Sequence, residues 1–302
     1  MKPERICLIG GTGFVGRHLV ARLARAGLPV RTLARQPHRH RDLGVPRGNE
    51  VVAAGDFRAP ALAEQMAGCD TVINLTGILN ENTKRTFRSV HVELAEAIVE
   101  GAKRAGVTRY LHMSALHASE ANGASRYLRS KGEGENRAHT LGRPELRVTS
   151  FRPSVIFGPG DSFINRFAGL IRIPGPIPLA CPQSRFAPVY VGDVAEAFYR
   201  VLFLPSARGQ VYELCGPRVL TLEEIVRYVA RLTGRKKRII RLNDRLSQLQ
   251  ARILGRMPGK PFTLDNYKSL GVDSVCGADG LGALGISATD MDAVVPGFLR
   301  RT

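Results

Sequence analysis

Short apolar runs alternate with longer amphipathic ones from the start of the chain. Residues 5–9 form an apolar run of strand length that stops at Gly10. Residues 14–26 place Leu19, Val20 and Leu23 on one helical face, and Gly27 stands where helices commonly end. The same patterning predicts strands at 29–34, 50–53, 71–75 and 109–113. It predicts a short helix over 59–66 and a long amphipathic one over 87–105, stopped by Gly106. Another helix is expected over 126–140, with strand segments at 148–151 and 155–157 flanking Arg152 and Pro153. Short buried strands interleaved with helices predict an α/β fold, a doubly wound parallel sheet.

After Gly158 the texture changes. Residues 159–188 are rich in Pro and Gly, including the run from Ile173 to Pro178, and read as irregular loops building a small lobe. Residues 193–204 are expected to be helical and to return to the flank of the sheet. Amphipathic helices are expected over 222–232 and 244–257.

The first strand runs into a turn with glycines at 10, 13 and 16. A tight turn needs positive φ, a missing side chain lets backbone approach a pyrophosphate, and the last glycine lets helix and strand pack closely. The phosphates then meet free N–H groups at the helix N-terminus. With a strand before it and a helix after it, this turn predicts a dinucleotide site in a Rossmann sheet. The expected division is a dinucleotide-binding domain over 1–157 and a small C-terminal lobe over 158–302, with 186–215 returning to the Rossmann core. The end of the second strand selects the nucleotide. An NAD site places a carboxylate there, but this chain has Arg35, with Arg39 nearby and no acid before Asp42. Arg35 suits a 2′-phosphate, so NADP(H) is the expected cofactor and NAD(H) the alternative.

A second signal is Tyr127 and Lys131, four apart on a predicted helix and so on one face. The lysine charge is expected to lower the phenol pKa and ready it for proton transfer. Together with Ser114 after the strand at 109–113, this pattern resembles the short-chain dehydrogenase/reductase superfamily in its extended or atypical branch. Residues 125–135, 152–161, 163–167, 175–179 and 188–194 resemble one subgroup in particular. It contains the NADPH-binding accessory subunit of respiratory complex I and its bacterial relatives.

The resemblance implies further contacts. Thr12, Phe14 and Val15 would line the pyrophosphate and adenine side, between Gly10, Gly13 and Gly16. Asp56, followed by Phe57, would face the adenine; Asp56 also reads as a turn-former before Ala59. Leu75, Thr76 and Gly77 would border the inner ribose, with Met113 beside them. Pro153, Ser154, Val155 and Ile156 would back the nicotinamide. Two departures bear on chemistry. Active extended members commonly carry a hydroxyl near the position of Leu116, and often an asparagine in the helix before the strand at 109–113, where this chain has Val90, His91 and Val92. His91, His112 and His117 do not read as substitutes. The resemblance therefore implies a cofactor-holding subunit or assembly factor. The intact Tyr127, Lys131 and Ser114 imply the alternatives, a carbonyl reductase or a nucleotide-sugar epimerase/dehydratase-like enzyme.

Charge adds one feature: 44 Lys and Arg against 26 Asp and Glu, a formal +18. No nucleic-acid module appears, and aromatics are 6% with no Trp, so nucleic acid is not an expected partner. The basic run 235–241 and the helix over 244–257, with Leu246, Leu249 and Ile253 on one face, admit an anionic membrane surface. The preferred expectation is that this helix packs on the lobe. No apolar run has membrane-spanning length and no signal peptide is apparent, which predicts a cytoplasmic protein, with peripheral membrane association open. The cysteines at 7, 69, 181, 215 and 276 are odd in number and widely spaced, which argues against disulfides and against a metal site. Cys7 reads as core; Cys181 and Cys276 remain candidate reactive thiols.

Overall fold

The computed structural model describes residues 3–299. In chain order the first half runs β1 (Ile6–Ile9), α1 (Phe14–Arg25), β2 (Val30–Ala34), β3 (Glu50–Ala53), α2 (Ala59–Met66) and β4 (Thr71–Asn74). It continues with α3 (Leu94–Arg104), β5 (Arg109–Met113), α4 (Arg126–Gly142) and β6 (Arg147–Pro153). The second half contributes α5 (Phe163–Arg172), α6 (Val191–Val201), β7 (Val211–Leu214), α7 (Leu222–Leu232) and α8 (Asp244–Leu254). It ends in α9 (Leu264–Leu270), α10 (Gly280–Ala283) and α11 (Met291–Leu299).

Seven strands form one sheet in the order β7-β6-β5-β4-β1-β2-β3, and every pairing is parallel. Period-two alternation explains why both faces are apolar. Ile6 and Leu8 of β1 join a core with α1 and α6, while Cys7 and Ile9 join one with α2, α3 and α4. The chain reverses its direction of travel across the sheet between β1 and β4, and ligand crevices of such sheets open there, beyond the strand C-termini.

The lobe has its own core. Ile164, Ala168 and Ile171 of α5 meet Ile225, Val226 and Val229 of α7 and Val295 of α11. The expectation of irregular loops over 159–188 is therefore corrected: Phe163–Arg172 is helical, with its buried residues spaced four and three apart. The surrounding Pro and Gly obscured that spacing. Between the lobe segments, Val189–Tyr190 pairs with Ile156–Phe157, α6 covers α1, and β7 becomes the sheet edge.

Helix α8 packs on the lobe, but by the face opposite to its apolar one. Its buried residues are Ser247 and Ala251, whereas Leu246, Leu249 and Ile253 are 48%, 48% and 55% exposed. The helix lies against the protein by its small side chains and turns its apolar face outward.

The cysteine reading is also corrected. Cys215 and Cys276 form a disulfide, which removes Cys276 as a reactive thiol. Their separation of 61 residues hid the pairing. The fold brings them together because Ala187 N donates to Ser274 O, and Gly277 N donates to a Glu213 carboxylate oxygen at the end of β7. Cys181 is free, but burial pushes its thiol up, away from thiolate reactivity. Cys7 is buried in the core.

The disulfide yields a stability prediction. A bridge closing a loop of this length contributes about 2–4 kcal/mol. Calorimetric melting of Cys215→Ser should show that loss, and adding reductant to the variant should change nothing further. A variant melting with the oxidised wild type would refute the bridge.

Candidate cofactor and active site

The glycine turn is built for close approach. Gly10 has φ +85, and a Cβ there would lie 2.9 Å from the backbone carbonyl carbon of Leu75. At Gly16 a Cβ would come within 2.4 Å of Gly10 O, so the first turn of α1 can sit against the β1–α1 turn only with glycine. Gly13 caps α1 in an extended conformation, with no side chain bonded to the first N–H groups. The residues present thus fit a pyrophosphate at the helix N-terminus: a cradle that a Cβ would fill, and donors facing it.

At the end of β2, Arg35 is exposed and makes no ion pair or hydrogen bond among the described residues. Asp42, the first carboxylate after it, is taken by Arg17 of α1, which also bonds His40 Nδ1 at 3.1 Å. A basic side chain that sequence reasoning missed also lies within electrostatic reach of Arg35. Arg85 is held below the usual arginine range by partial burial and by the Arg35 charge. Asp56 accepts from Arg58 N at 2.8 Å and from its guanidinium at 2.8 and 2.6 Å, the geometry of a turn-former before α2. Phe57 packs against the core beneath it.

Lys131 organises the centre of the site. Its Nζ donates to Met113 O at 2.6 Å and Thr76 O at 3.4 Å; among the described residues no carboxylate is in ion-pair distance, and Glu135, one turn on, acts on it only through its field. The ends of β4 and β5 are thereby tied to α4. Gly77 stands close by, where a Cβ would be 3.7 Å from Nζ. Burial pulls the Lys131 ammonium down to about 8. Burial also pushes the Tyr127 phenol up to about 12, opposite to the lowering expected from the sequence. Desolvation alone sets this direction, so near neutral pH Tyr127 is a neutral acid and Lys131 is largely charged. The Tyr127 ring packs on Ala115 and Ala118, edge-on to Phe87 and His91 at 6.0 and 5.6 Å. Ser114 Oγ is buried with no hydrogen-bond partner among the described residues. Leu116 is buried beside it, its N donating to Pro153 O.

The wall at 153–156 is fixed through its backbone. Ser154 N donates to Leu214 O, Val189 N donates to Val155 O, and Ile156 pairs with Val189. Ser154 Oγ donates to Ser274 O at 2.7 Å, joining the wall to the disulfide-bonded segment. On the opposite side Phe14 approaches Gly160, and His18 Nε2 lies 3.1 Å from Pro159 O. Val15 packs into the core. Thr76 is held by Asn74, whose Oδ1 accepts from its N and Oγ1 at 2.9 and 2.6 Å.

His91 was not read as a substitute for the missing asparagine, yet its bonds define a role. Nε2 accepts from Ile78 N at 3.0 Å, and Nδ1 lies 2.8 Å from Ser130 Oγ, which itself donates to Tyr127 O. That chain requires the proton on Nδ1. Burial and the nearby Lys131 charge hold the ring neutral, with its pKa near 2. Residues Arg88–Glu93 wind as a π-helical turn, and a Cβ on Gly134 would fall 1.9 Å from His91 O. His91 therefore pins the loop after β4 to α4. Its trace in the sequence is Gly134 on the opposing helix. Among the described residues no group of three or more His, Cys, Asp or Glu can hold a metal ion.

This arrangement defines a nicotinamide-dinucleotide-binding Rossmann protein of the short-chain dehydrogenase/reductase class. Residues 10–156 match the family model described as NAD(P)H-binding. The mouse protein "NADH dehydrogenase (ubiquinone) 1 alpha subcomplex subunit 9, mitochondrial" is 31% identical, over 97% of this chain and 79% of its own length. The "Ceramide reductase" of Caulobacter vibrioides is 35% identical over 79% of this chain and 74% of its own. The chain belongs to this family of atypical short-chain dehydrogenase/reductases, which includes the complex I subunit. Among solved structures, "MoeE5 in complex with UDP-glucose and NAD" superposes with a TM-score of 0.75 at 19% identity, over 98% of this chain and 99% of that one. That likeness is one of fold.

The depressed Lys131 pKa fixes a pH dependence. The folded protein loses this proton near 8 and the unfolded chain near 10.5, so the unfolded state binds more protons between those values. The stability of wild type relative to Lys131→Met should therefore rise as pH increases from about 8 to about 10.5, by roughly 3 kcal/mol, and be level below that window. Denaturant titrations of both proteins across the window measure it; parallel curves would count against a buried charged lysine.

Proposed function

We propose that the chain is an NADP(H)-dependent reductase-type protein acting on a carbonyl compound. The observation that carries this reading is the buried Ser114 hydroxyl, without a hydrogen-bond partner among the described residues and one residue before Ala115, on which Tyr127 packs. A hydroxyl left without a partner costs about 1–3 kcal/mol, and such groups persist where a ligand completes them. In this reading Ser114 donates to the substrate carbonyl oxygen and Tyr127, kept neutral by burial, passes it a proton. Lys131 holds the ribose hydroxyls and replaces the proton Tyr127 gives up. NADPH, when bound, supplies the hydride. Residues 10–16 and 75–77 hold the pyrophosphate and inner ribose, Asp56 and Phe57 border the adenine, and 153–156 back the nicotinamide. Residues 1–157 form the dinucleotide-binding domain, and 158–302, apart from 186–215, form the lobe over the substrate.

A second reading, a cofactor-holding subunit or assembly factor, is favoured by buried Leu116, which puts an alkyl group where active relatives carry a hydroxyl. The complex I subunit relative supports a respiratory complex as partner. The outward apolar face of α8, flanked by Arg245, Arg252 and Arg256, supports peripheral association with an anionic membrane. No helix among the described residues is long and apolar enough to cross one.

Cofactor choice follows from Arg35. NADPH should bind more tightly than NADH, and Arg35→Ala should erase about 1.5–3 kcal/mol of that difference, roughly tenfold or more in affinity. Calorimetry with both cofactors decides it; equal affinities in wild type would overturn the assignment.

Tyr127→Phe separates the two readings. In a reductase, turnover of carbonyl substrates with NADPH should fall about 10²–10⁴-fold while cofactor affinity holds. In a holder it should be silent, with Lys131→Ala alone losing NADPH and its stabilisation in melting curves. Substrate-dependent NADPH oxidation surviving in Tyr127→Phe would remove Tyr127 from the chemistry.

A further inference from the structure

A cavity of about 350 Å³ lies between the lobe helices α8 and α9 and the loop that follows β4. Its apolar wall is Phe87, Ala251 and Leu264. Phe87 touches the Tyr127 ring from the other side, at 6.0 Å between centroids, so the cavity is one aromatic ring away from the proposed acid.

The charges around this space are unbalanced. Arg126, Arg252, Arg256 and Lys260 line it, against Glu81 and Asp265. Both acids are already engaged. Glu81 pairs with Arg126 at 3.0 Å and accepts from Phe87 N at 2.8 Å. Asp265 accepts from the backbone N–H groups of Arg126 and Tyr127 at 2.7 and 3.1 Å. Arg252 and Arg256 have no ion pair among the described residues, and Lys260 Nζ donates only to the neutral Glu81 carbonyl, at 2.8 Å. The lining thus carries four cations against two carboxylates, and Arg252, Arg256 and Lys260 have no ion pair among the described residues.

The rim is held in a costly shape. Lys260 has φ +44, a left-handed conformation unusual for a residue with a Cβ, and Asn80 Nδ2 fixes its carbonyl at 3.1 Å. Strained residues of this kind persist where a site needs them.

Just outside stands the outward face of α8. Leu246, Leu249 and Ile253, between 48% and 55% exposed, recur at helical spacing, and Met257, just past the helix end, extends the stripe beside Arg252 and Arg256. An uncovered apolar stripe next to uncompensated arginines matches an amphiphile of opposite charge. The volume argues the same way: it is at the small end of ligand sites and accepts a headgroup but not a long chain.

We propose that this cavity seats the phosphate head of an acidic lipid drawn from a bilayer, with its acyl chain along the outward face of α8. That the lipid is also the substrate rests on the reductase reading; that it binds does not.

The test is calorimetry on the full chain loaded with NADPH. The probes are lauroyl lysophosphatidate, monolauroylglycerol and inorganic phosphate. Lysophosphatidate should bind at least about tenfold tighter than either of the others. The double variant Arg252→Gln/Arg256→Gln should weaken it by about tenfold, with NADPH affinity and melting temperature unchanged. Leu249→Ser/Ile253→Ser should weaken lysophosphatidate and leave phosphate as it was. Equal binding of monolauroylglycerol, or an arginine double variant that binds like wild type, overturns the proposal. Inorganic phosphate binding as tightly as lysophosphatidate overturns it too, in favour of a water-soluble phosphate ester. Lysophosphatidate bound through Arg252 and Arg256 in a protein for which Tyr127→Phe is silent keeps the site and removes the reductase reading alone.

Discussion

A buried ammonium with no carboxylate against it is costly, and the centre of this protein is arranged around one. Lys131 Nζ is satisfied by two backbone carbonyls, Met113 O and Thr76 O, which sit at the ends of β5 and β4. These strands are neighbours in the sheet, and their ends flank the point where the chain reverses direction. One side chain on α4 thereby fixes the depth of that helix against the sheet. It also fixes the place of Tyr127, one turn earlier, and of Gly77, which borders it. His91 completes the arrangement by joining the loop after β4 to Ser130 on the same helix. Both residues are held in the charge state that the local bonding requires. The lysine keeps a proton at a desolvation cost, and the imidazole is denied one.

The Rossmann half was largely legible because its signals are local. A strand of four apolar residues, a glycine turn and a helix with Leu19, Val20 and Leu23 inside occupy consecutive positions, and each predicts the next. Tyr127 and Lys131 were legible because helical spacing alone puts them on one face. The remaining features depend on contacts distant in sequence. The bridge between Cys215 and Cys276 exists because Ser274 is held between Ala187 and Ser154. The direction of the Tyr127 pKa shift depends on the packing of the half-buried ring against Phe87, His91, Ala115 and Ala118. Helical spacing places the lysine near the tyrosine but does not show the burial that raises the phenol.

Helix α8 shows a different limit. Its pattern of Leu246, Leu249 and Ile253 was read correctly as amphipathic, but amphipathicity does not say which face meets the protein. Ser247 and Ala251 take that place because small side chains allow a close approach to the neighbouring elements, and the larger residues are left outside. The lobe core was already complete, with α5, α7 and α11 filling one another's grooves.

Asp265 belongs to α9, yet its carboxylate receives the N–H groups that open α4. A negative charge at that position also complements the dipole of the helix it caps. The first turn of the helix carrying Tyr127 and Lys131 is thus assembled from two distant stretches of chain, one of them in the lobe. The two halves share a mechanical joint there. The acceptors for Arg126 N and Tyr127 N come from α9, so the backbone that aims the tyrosine is anchored in the lobe.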